Sequence, residues 1–214
     1  MYIPKFNEET DISALQNLIK ENPLGAWTTV SQGQIMINHV PFVLHEEKGE
    51  FGTLCGHVAR KNSIWDTYSK EIQSAVVFQG DDAYISPSWY PTKHEHGKAV
   101  PTWNYAVVHA WGAPRIIENR EWLLGHVEEI TKIHEKNQTS PWQVSDAPGE
   151  YIEKLLGFII GIEIPITDLK GKIKLGQNRP EPDKLGTVAG LMSQGTDKTK
   201  GLADLLNKHI KEDQ

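Results

Sequence analysis

Four short segments contain the side chains whose types could bind or transform a small molecule. They read GHVARKN at 56–62, YISPSWYPTK at 84–93, VPTWNYAVVHAWG at 100–112 and GKIKLGQN at 171–178. Arg, Lys and Ser suit a phosphate, because charge-assisted hydrogen bonds are the strong ones. Aromatic walls with a few amides at their edge suit a fused planar ring. The combination indicates a site for a phosphorylated planar ligand.

Each segment also has a structural interpretation. A single Arg is more often solvated or ion-paired than ligand-binding, and Trp and Tyr on strands are usually core residues with a satisfied polar tip. The residues of any one segment leave both interpretations open. The presence of four such segments in one chain of 214 residues favours a binding site.

Other chemistries have weaker support in the sequence. His94 and His96 form a His-x-His pair that could share a metal, but a polar loop more often exposes such a pair to solvent, so we predict no metal site. No Gly-x-Gly-x-x-Gly, Walker loop or Gly-x-Ser-x-Gly motif occurs. Cys55 lies in an apparent strand and is interpreted as a buried, inert thiol.

Composition and charge restrict the class of protein. The chain is 38% hydrophobic and 23% charged, which is typical of a soluble domain with a real core. Its formal net charge is −6 and its Lys and Arg residues are scattered, which disfavours direct DNA binding. No apolar stretch is long enough for a membrane span, and the N-terminus does not resemble a signal peptide. With a single cysteine, this predicts a cytoplasmic location.

The first half of the chain predicts one helix followed by short strands. Thr10 and Asp11 can cap a helix in which Ile12, Leu15 and Ile19 recur at helical spacing. Strands are predicted at 25–44 with a turn at Gln32-Gly33, at 51–60, in SAVVFQG and AYISP on either side of Gly80-Asp81-Asp82, and at 100–117. The two aspartates are interpreted as turn formers. Short strands with intervening turn signals favour an antiparallel barrel or sandwich.

The second half predicts mainly helices. The predicted elements are a helix capped by Asn119, a helix begun by Asp146 and Pro148, a half-buried strand over 158–166, a loop over 174–184, a helix containing Leu185 to Met192 and a last helix containing Leu202 to Ile210. The polar segment 193–201 predicts a hinge. We therefore predict one α+β domain over 1–192 with a barrel core, and a C-terminal segment over 193–214 that packs on it or on a partner subunit.

Six segments together resemble one known family. They are MYIPKFN, HVPFVL, GHVARKNSIW, FQGDDAYISPSWY, VPTWNYAVVHAWG and GKIKLGQNRPEPDKLG. These segments closely resemble the PaiB-type family, described as FMN-binding negative transcriptional regulators connected with sporulation and extracellular protease production. The resemblance extends from residue 1 to residue 192. Gly176 is a departure, because we expect a serine hydroxyl at that position in the family.

The resemblance implies an FMN-binding split β-barrel, antiparallel and Greek-key-like, with peripheral helices and a helical C-terminus. Such proteins usually form homodimers that bind FMN in a cleft between subunits. The turn containing His57, Arg60 and Asn62 matches the place that receives the flavin phosphate. The full set of residues that we predict to bind FMN is His57, Arg60, Asn62, Ser86, Ser88, Lys93, Thr102, Trp103, Asn104, Lys174 and Gln177.

We therefore predict a dimeric FMN-binding regulator, and two alternatives stay open. One is a flavin-dependent oxidoreductase of the pyridoxamine-phosphate-oxidase or flavin-reductase type, in which the flavin does the chemistry. The other is a haem-binding split barrel. No residue is assigned as a general acid or base. The chain shows no recognisable helix-turn-helix, so direct contact with DNA is not the favoured mode of regulation.

Overall fold

The computed structural model describes residues 1–212, which form ten strands and seven helices. The strands are β1 (Glu8–Glu9), β2 (Leu24–Ser31), β3 (Gln34–Pro41), β4 (Val43–His45), β5 (Thr53–Ala59), β6 (Ser74–Ile85), β7 (Thr102–Gly112), β8 (Arg115–Ile117), β9 (Ile159–Pro165) and β10 (Asp168–Lys174). The helices are α1 (Ile12–Glu21), α2 (Ile64–Thr67), α3 (Thr92–His96), α4 (Arg120–Glu135), α5 (Gly149–Leu156), α6 (Glu181–Gln194) and α7 (Asp197–Glu212). Three 3-10 turns occur at Lys5–Asn7, Pro87–Trp89 and Val144–Asp146.

Several local signals in the sequence are confirmed. Asp11 Oδ1 accepts a hydrogen bond from the Ser13 amide at the start of α1, and Asn119 Oδ1 accepts one from the Trp122 amide at the start of α4. The predicted turn between β2 and β3 contains Gln32 and Gly33 with φ of 50° and 77°, the left-handed conformation that a two-residue hairpin requires.

The predicted turn at Gly80-Asp81-Asp82 is wrong, because β6 runs without a break from Ser74 to Ile85. The Asp82 carboxylate accepts hydrogen bonds from Gln79 Nε2 and Lys198 Nζ, each at 3.2 Å. Asp81 packs so closely on Gly201 of α7 that a Cβ there would lie 2.0 Å from its Oδ2. Contacts with a distant helix therefore replace the local hydrogen bonds of a turn.

Two further predictions need correction. The segment 168–174 is a strand, and the predicted loop over 174–184 ends where α6 begins at Glu181. The predicted hinge at 193–201 shortens to Gly195 and Thr196, because α7 begins at Asp197 and Thr196 Oγ1 accepts a hydrogen bond from the Thr199 amide. The last two residues of the predicted 193–214 segment lie outside the described residues. The division at residue 192 stays a prediction.

The chain divides into two compact units. The first unit contains Met1–Leu18, Gln79–Val108 and the chain from Lys170 onward. Its strands follow the order β1, β10, β7, β6. Ile85, Ala106 and Ile173 belong to a buried apolar cluster that also contains Leu191, Leu202, Leu206 and Ile210 of α6 and α7. This unit is therefore a sheet with one face covered by the two C-terminal helices.

The second unit contains Ile19–Phe78 and His109–Leu169. In one sheet β2 pairs antiparallel with both β3 and β6, and in the other the antiparallel order is β4, β5, β9, β8. Trp27, Phe78, Leu54 and Ile162 are completely buried and form part of its core. Among the described helices, none combines the length and hydropathy that a membrane span requires.

Candidate functional site

The first unit exposes aromatic and lysine side chains on the sheet face opposite its apolar core. Trp103 is 54% exposed and Tyr84 is 47% exposed, and their rings meet edge to face with centroids 6.2 Å apart. The Lys172 ammonium lies 5.4 Å from the centroid of the Tyr105 ring. Together with Lys174, these residues form what we call the aromatic–lysine surface.

Strand alternation explains why β7 contributes to both faces. Trp103 and Tyr105 point to the aromatic–lysine surface, whereas Asn104 and Ala106 are 2% exposed. The Asn104 Oδ1 atom is buried and has no hydrogen-bond partner among the described residues. The two predicted ring-binding residues of this segment therefore point in opposite directions, and the indole is the accessible one.

Lys174 joins two of the predicted residues. Its Nζ donates to Thr102 Oγ1 at 2.5 Å and to the Trp103 carbonyl oxygen at 2.7 Å. An ammonium has three donors, so one remains for an anionic ligand. Partial burial lowers the pKa of Lys174. The structure therefore brings Thr102, Trp103 and Lys174 together at one end of the aromatic–lysine surface.

The segment after β6 is fixed by contacts that the sequence did not predict. Ser86 Oγ and Ser88 Oγ are 2.6 Å apart, and Ser86 caps the following 3-10 turn. Asp183 is 1% exposed and accepts hydrogen bonds from the Thr92 amide and hydroxyl. Trp89 packs on α6 where glycine leaves space for its ring. Asp183 was missed because a carboxylate in PEPDK gives no sign of burial.

Lys93 and Gln177 occupy very different environments. Lys93 is exposed on α3. Gln177 Oε1 accepts a hydrogen bond from the Leu175 amide and its Nε2 donates to the Ile173 carbonyl, so its amide group stabilises the turn after β10. Gly176 in that turn has φ of 80°, a conformation that disfavours the serine expected there.

In the second unit, Arg60 is already paired. Its Nη1 donates to Glu118 Oε2 at 2.8 Å and its Nε donates to the Gly157 carbonyl oxygen at 3.1 Å. A guanidinium has five N–H donors, so three remain for a phosphate. Asn62 donates to Asn38 Oδ1 at 2.7 Å and accepts from the Ile64 amide, which fixes its side chain at the end of β5.

His57 forms a hydrogen bond with a second histidine that the sequence did not single out for binding. His57 Nδ1 and His126 Nε2 are 3.1 Å apart. His126 also stacks on Trp122 with ring centroids 5.2 Å apart. Burial, with His57 and His45 nearby, lowers the pKa of His126 to about 4, and burial lowers the pKa of His57. Both rings are therefore neutral at pH 7.

The predicted residues thus form local groups within each unit. The first unit joins Thr102, Trp103 and Lys174, and separately pairs Ser86 with Ser88. The second unit holds His57, Arg60 and Asn62 along and just after β5, each with its own partner. In the part of the chain that the structure describes, no group of three or more His, Cys, Asp or Glu residues is arranged to hold a metal ion.

Two curated relatives match nearly the full chain. An uncharacterized protein of Emericella nidulans is 35% identical, with 97% of each chain covered. The protease synthase and sporulation protein PAI 2 of Bacillus subtilis is 31% identical, with 99% of each chain covered. Because these matches leave almost no part of either chain uncovered, they apply to both units.

Solved structures share the fold at low sequence identity. The flavocytochrome Anf3 of Azotobacter vinelandii aligns with a TM-score of 0.59 at 10% identity, covering 86% of this chain and 78% of that chain. The FAD and heme binding protein of Mycobacterium smegmatis aligns with a TM-score of 0.58 at 14% identity, covering 79% and 74%. The predicted class is therefore confirmed: an α+β fold of the split-barrel type, with antiparallel sheets and helices at the C-terminus.

The family prediction is tested by a model of a protein family. The model described as "Putative FMN-binding domain" matches residues 1–168. This range includes nine of the eleven predicted binding residues and excludes only Lys174 and Gln177. The matched range contains five of the six segments noted in the sequence, and the Bacillus subtilis relative covers 99% of the chain. This chain therefore belongs to the PaiB-type family of FMN-binding domains.

Proposed function

We propose that this chain is an FMN-binding protein of the PaiB type that acts as a homodimeric negative transcriptional regulator. The family description supports FMN as the cofactor. The name of the Bacillus subtilis relative supports a connection with protease synthesis and sporulation. The structural observation that most favours a planar anionic ligand is the aromatic–lysine surface, where Trp103 stays half exposed beside a lysine with an unused donor.

The residues present fit FMN in type. Trp103 and Tyr84 offer exposed aromatic faces for a ring, and Lys174 offers an N–H for an anionic or carbonyl group. Asn104 Oδ1 also has an unused acceptor, but it is buried on the opposite face of β7 and does not meet a ligand on the aromatic–lysine surface. In the second unit, Arg60 has N–H groups left for a phosphate after its bonds to Glu118 and Gly157.

When bound, FMN supplies two-electron and one-electron transfer chemistry. The chain's own residues bind and orient it. We assign charge neutralisation to Arg60 and Lys93, and hydrogen bonding to Ser86 and Ser88. His57, Asn62, Thr102, Lys174 and Gln177 complete the proposed binding set. In this set Gln177 and Asn62 act by fixing the backbone around the ligand, because their amide groups are already hydrogen-bonded within the chain.

Calorimetric titration of the apo-protein with FMN tests the cofactor assignment. We expect saturable binding with flavin absorbance, and Arg60→Ala should weaken it about tenfold through loss of a charge-assisted hydrogen bond. Arg115→Ala is the matched control, since Arg115 is also an exposed arginine of the second unit. Absence of FMN binding by the folded wild-type protein would refute the proposal.

An exposed apolar edge supports a homodimer. β3 is the last strand of its sheet, and on it Ile35 is 71% exposed and Ile37 is 59% exposed. A long apolar edge strand invites pairing with another chain unless something covers it. Sedimentation equilibrium should give a dimer for the wild-type protein and a monomer for Ile35→Lys/Ile37→Lys. Ile72→Lys, at a comparably exposed isoleucine, should leave the dimer intact.

The charge distribution favours regulation through a protein partner. The first unit contains 12 Lys and Arg against 12 Asp and Glu, whereas the second contains 10 against 16. Neither unit therefore has the excess of basic residues that is typical of proteins that bind the phosphates of the DNA backbone. A gel-shift experiment with the promoter of a protease gene should show no salt-dependent complex of the protein alone. A specific complex weakened by salt would establish direct DNA binding.

A second candidate function is haem binding, which the state of His57 favours. In the tautomer in which His57 Nδ1–H donates to His126 Nε2, this hydrogen bond orients His57 and leaves its Nε2 free for ligation. Its lowered pKa keeps the ring neutral, as an iron ligand must be. Hemin addition should then give a Soret band that is lost in His57→Ala and kept in His39→Ala. NADH oxidation above the free-flavin background would instead support an oxidoreductase.

A further inference from the structure

Helix α4 faces its sheet with an unusually polar stripe. Trp122, His126 and Glu129 recur at spacings of four and three and so share one face of the helix. Each contacts a polar residue on a different strand, at 3.0 to 3.1 Å: the pairs are Trp122 with Glu163 on β9, His126 with His57 on β5, and Glu129 with His45 on β4. An ordinary helix–sheet contact would be apolar here.

A cavity of about 310 Å³ lies along this stripe within the second unit. His45, Lys48, Cys55, Gly125, His126 and Glu129 line it. Gly125 leaves room on the helix side, because a Cβ built there has no atom within 4 Å. The volume is at the lower end of the range for small-molecule sites. We call this space the α4 cavity.

One polar atom of the cavity lining lacks a partner. His126 is 4% exposed, and its Nδ1 is buried without a hydrogen bond among residues 1–212. Buried polar groups are normally paired, and an exception calls for an explanation such as a ligand. In the tautomer opposite to the one that haem ligation by His57 requires, a neutral His126 donates from Nε2 to His57 Nδ1 and presents its own Nδ1 as an acceptor. The cavity therefore offers a buried nitrogen acceptor and the Glu129 carboxylate.

The charges around the α4 cavity favour a cation. Burial raises the pKa of the Cys55 thiol to about 12, with Glu163, Glu129 and Glu47 adding to the rise and only Lys48 opposing it. The thiol is therefore neutral. Glu129 lines the cavity, Glu163 and Glu47 lie close to Cys55, and Lys48 is the single ammonium among the lining residues. The cation is organic rather than metallic, because no described group of ligands is arranged for a metal ion.

We propose that the α4 cavity binds a small organic cation with a primary ammonium group. The ammonium donates one hydrogen bond to the Glu129 carboxylate and one to His126 Nδ1. A carboxylate acceptor provides the charge-assisted bond, and the imidazole nitrogen provides direction. Neither Glu129 nor His126 belongs to the residues assigned to FMN, and the titration below uses the apo-protein, so the proposal is tested separately from the proposed function.

Titration of the full-length apo-protein with ethanolamine at pH 7, followed by ¹H–¹⁵N NMR, tests the proposal. We expect saturable shifts of the His126 ring nitrogens and of the Trp122 indole N–H, which Trp122→Phe identifies. Choline should bind at least about tenfold more weakly, because it has the charge but no N–H donor. Acetate should not bind. Saturable acetate binding, or none by ethanolamine, would overturn the proposal.

Three variants separate binding from folding. Glu129→Gln should weaken ethanolamine binding about tenfold, whereas Glu128→Gln on the same helix should have no effect. Gly125→Leu fills the cavity without removing a polar group and should abolish binding while α4 stays folded. If Glu128→Gln weakens binding as much as Glu129→Gln does, the binding site is not the α4 cavity.

The direction in which Lys48→Met changes the affinity for ethanolamine tests whether the α4 cavity prefers a cation. Lys48 is exposed at the cavity rim, so Lys48→Met removes its charge with little effect on the fold. Ethanolamine should bind the variant several-fold more tightly, because a like charge has been removed. Tighter binding of ethanolamine supports the cation assignment, and weaker binding contradicts it.

Discussion

The two units of this chain stabilise their helices in contrasting ways. In the first, α6 and α7 contact the sheet through Leu191, Leu202, Leu206 and other completely buried apolar residues. In the second, α4 meets its sheet through Trp122, His126 and their polar partners. Apolar packing depends little on the orientation of the side chains, because the hydrophobic effect has no direction. Hydrogen-bonded pairs fix one side-chain geometry, and a pair that contains histidine is lost or weakened when the ring takes up a proton.

The units also differ in where their unusual polar chemistry lies. The first unit packs an apolar cluster against α6 and α7 and exposes Trp103 and Lys174 on the opposite face of the sheet. The second unit buries His126 beside His57 and has the whole net charge of −6, since its acidic residues exceed its basic ones by six. The first is therefore built to present a surface, and the second to enclose a polar cavity.

The largest expected effect is in the core of the first unit. Leu206→Ala should lower the free energy of unfolding by about 2–5 kcal/mol, because a completely buried leucine leaves a cavity. Urea denaturation followed by circular dichroism measures this. Leu185→Ala on α6, where the leucine is 50% exposed, should change the stability by less than about 0.5 kcal/mol. Equal effects would show that the apolar cluster does not stabilise the unit.

Acid should destabilise the second unit specifically. His126 has a folded pKa of about 4 against an ordinary value of 6.5, so the unfolded state binds a proton first as the pH falls. Its contribution is complete above pH 6.5 and is lost between pH 6.5 and 4, by about 3 kcal/mol. His57, whose pKa is also lowered, acts in the same direction. Denaturation at pH 7 and pH 4 measures the loss.

The matched variant for this prediction is His126→Gln, which cannot titrate. The difference in stability between pH 7 and pH 4 should be smaller in this variant than in the wild-type protein by the same 3 kcal/mol or so. His134→Gln on the same helix should keep the wild-type difference. If the wild-type protein and His126→Gln lose equal stability between pH 7 and pH 4, protonation of His126 does not distinguish the second unit from the apolar core of the first.

A smaller effect is expected where glycine allows α4 to approach its sheet. A Cβ on Gly161 would lie 2.4 Å from Trp122 Cζ3, and an indole ring cannot bend away. Gly161→Ala should therefore lower the free energy of unfolding by about 1–3 kcal/mol through overpacking. Gly125→Ala meets open space and should instead stabilise α4 by up to about 1 kcal/mol. Thermal unfolding of both variants distinguishes the two outcomes.

The smallest effect on stability is expected at the aromatic–lysine surface. Trp103→Ala should change the free energy of unfolding by less than about 0.5 kcal/mol, because the indole is half exposed. Its FMN affinity should nevertheless fall several-fold. Trp142→Ala, at an exposed tryptophan of the second unit, is the control for affinity. A large loss of stability in Trp103→Ala would make this surface part of the core and not a binding surface.

Features that depend on near neighbours in the sequence were predictable. The caps at Asp11 and Asn119 and the turn at Gln32-Gly33 need only the next two or three residues, so their signals survive without tertiary information. The segments around Arg60 and Trp103 were recognisable as family segments, and their role in ligand binding stays a prediction. Composition and local pattern were sufficient for the α+β class.

Features that depend on distant partners were not predictable. Gly80-Asp81-Asp82 continues a strand because β6 lies beside β7 in the sheet, and the ladder supplies its backbone partners. Asp183 is buried because Thr92 supplies two donors, and Arg60 is ion-paired because Glu118 lies beside it. From the sequence alone, Gly80-Asp81-Asp82 is compatible with a turn, Asp183 with a solvated surface, and Arg60 with an unpaired cation. The sequence by itself determined which groups could bind, and the tertiary structure decided which of them were already paired.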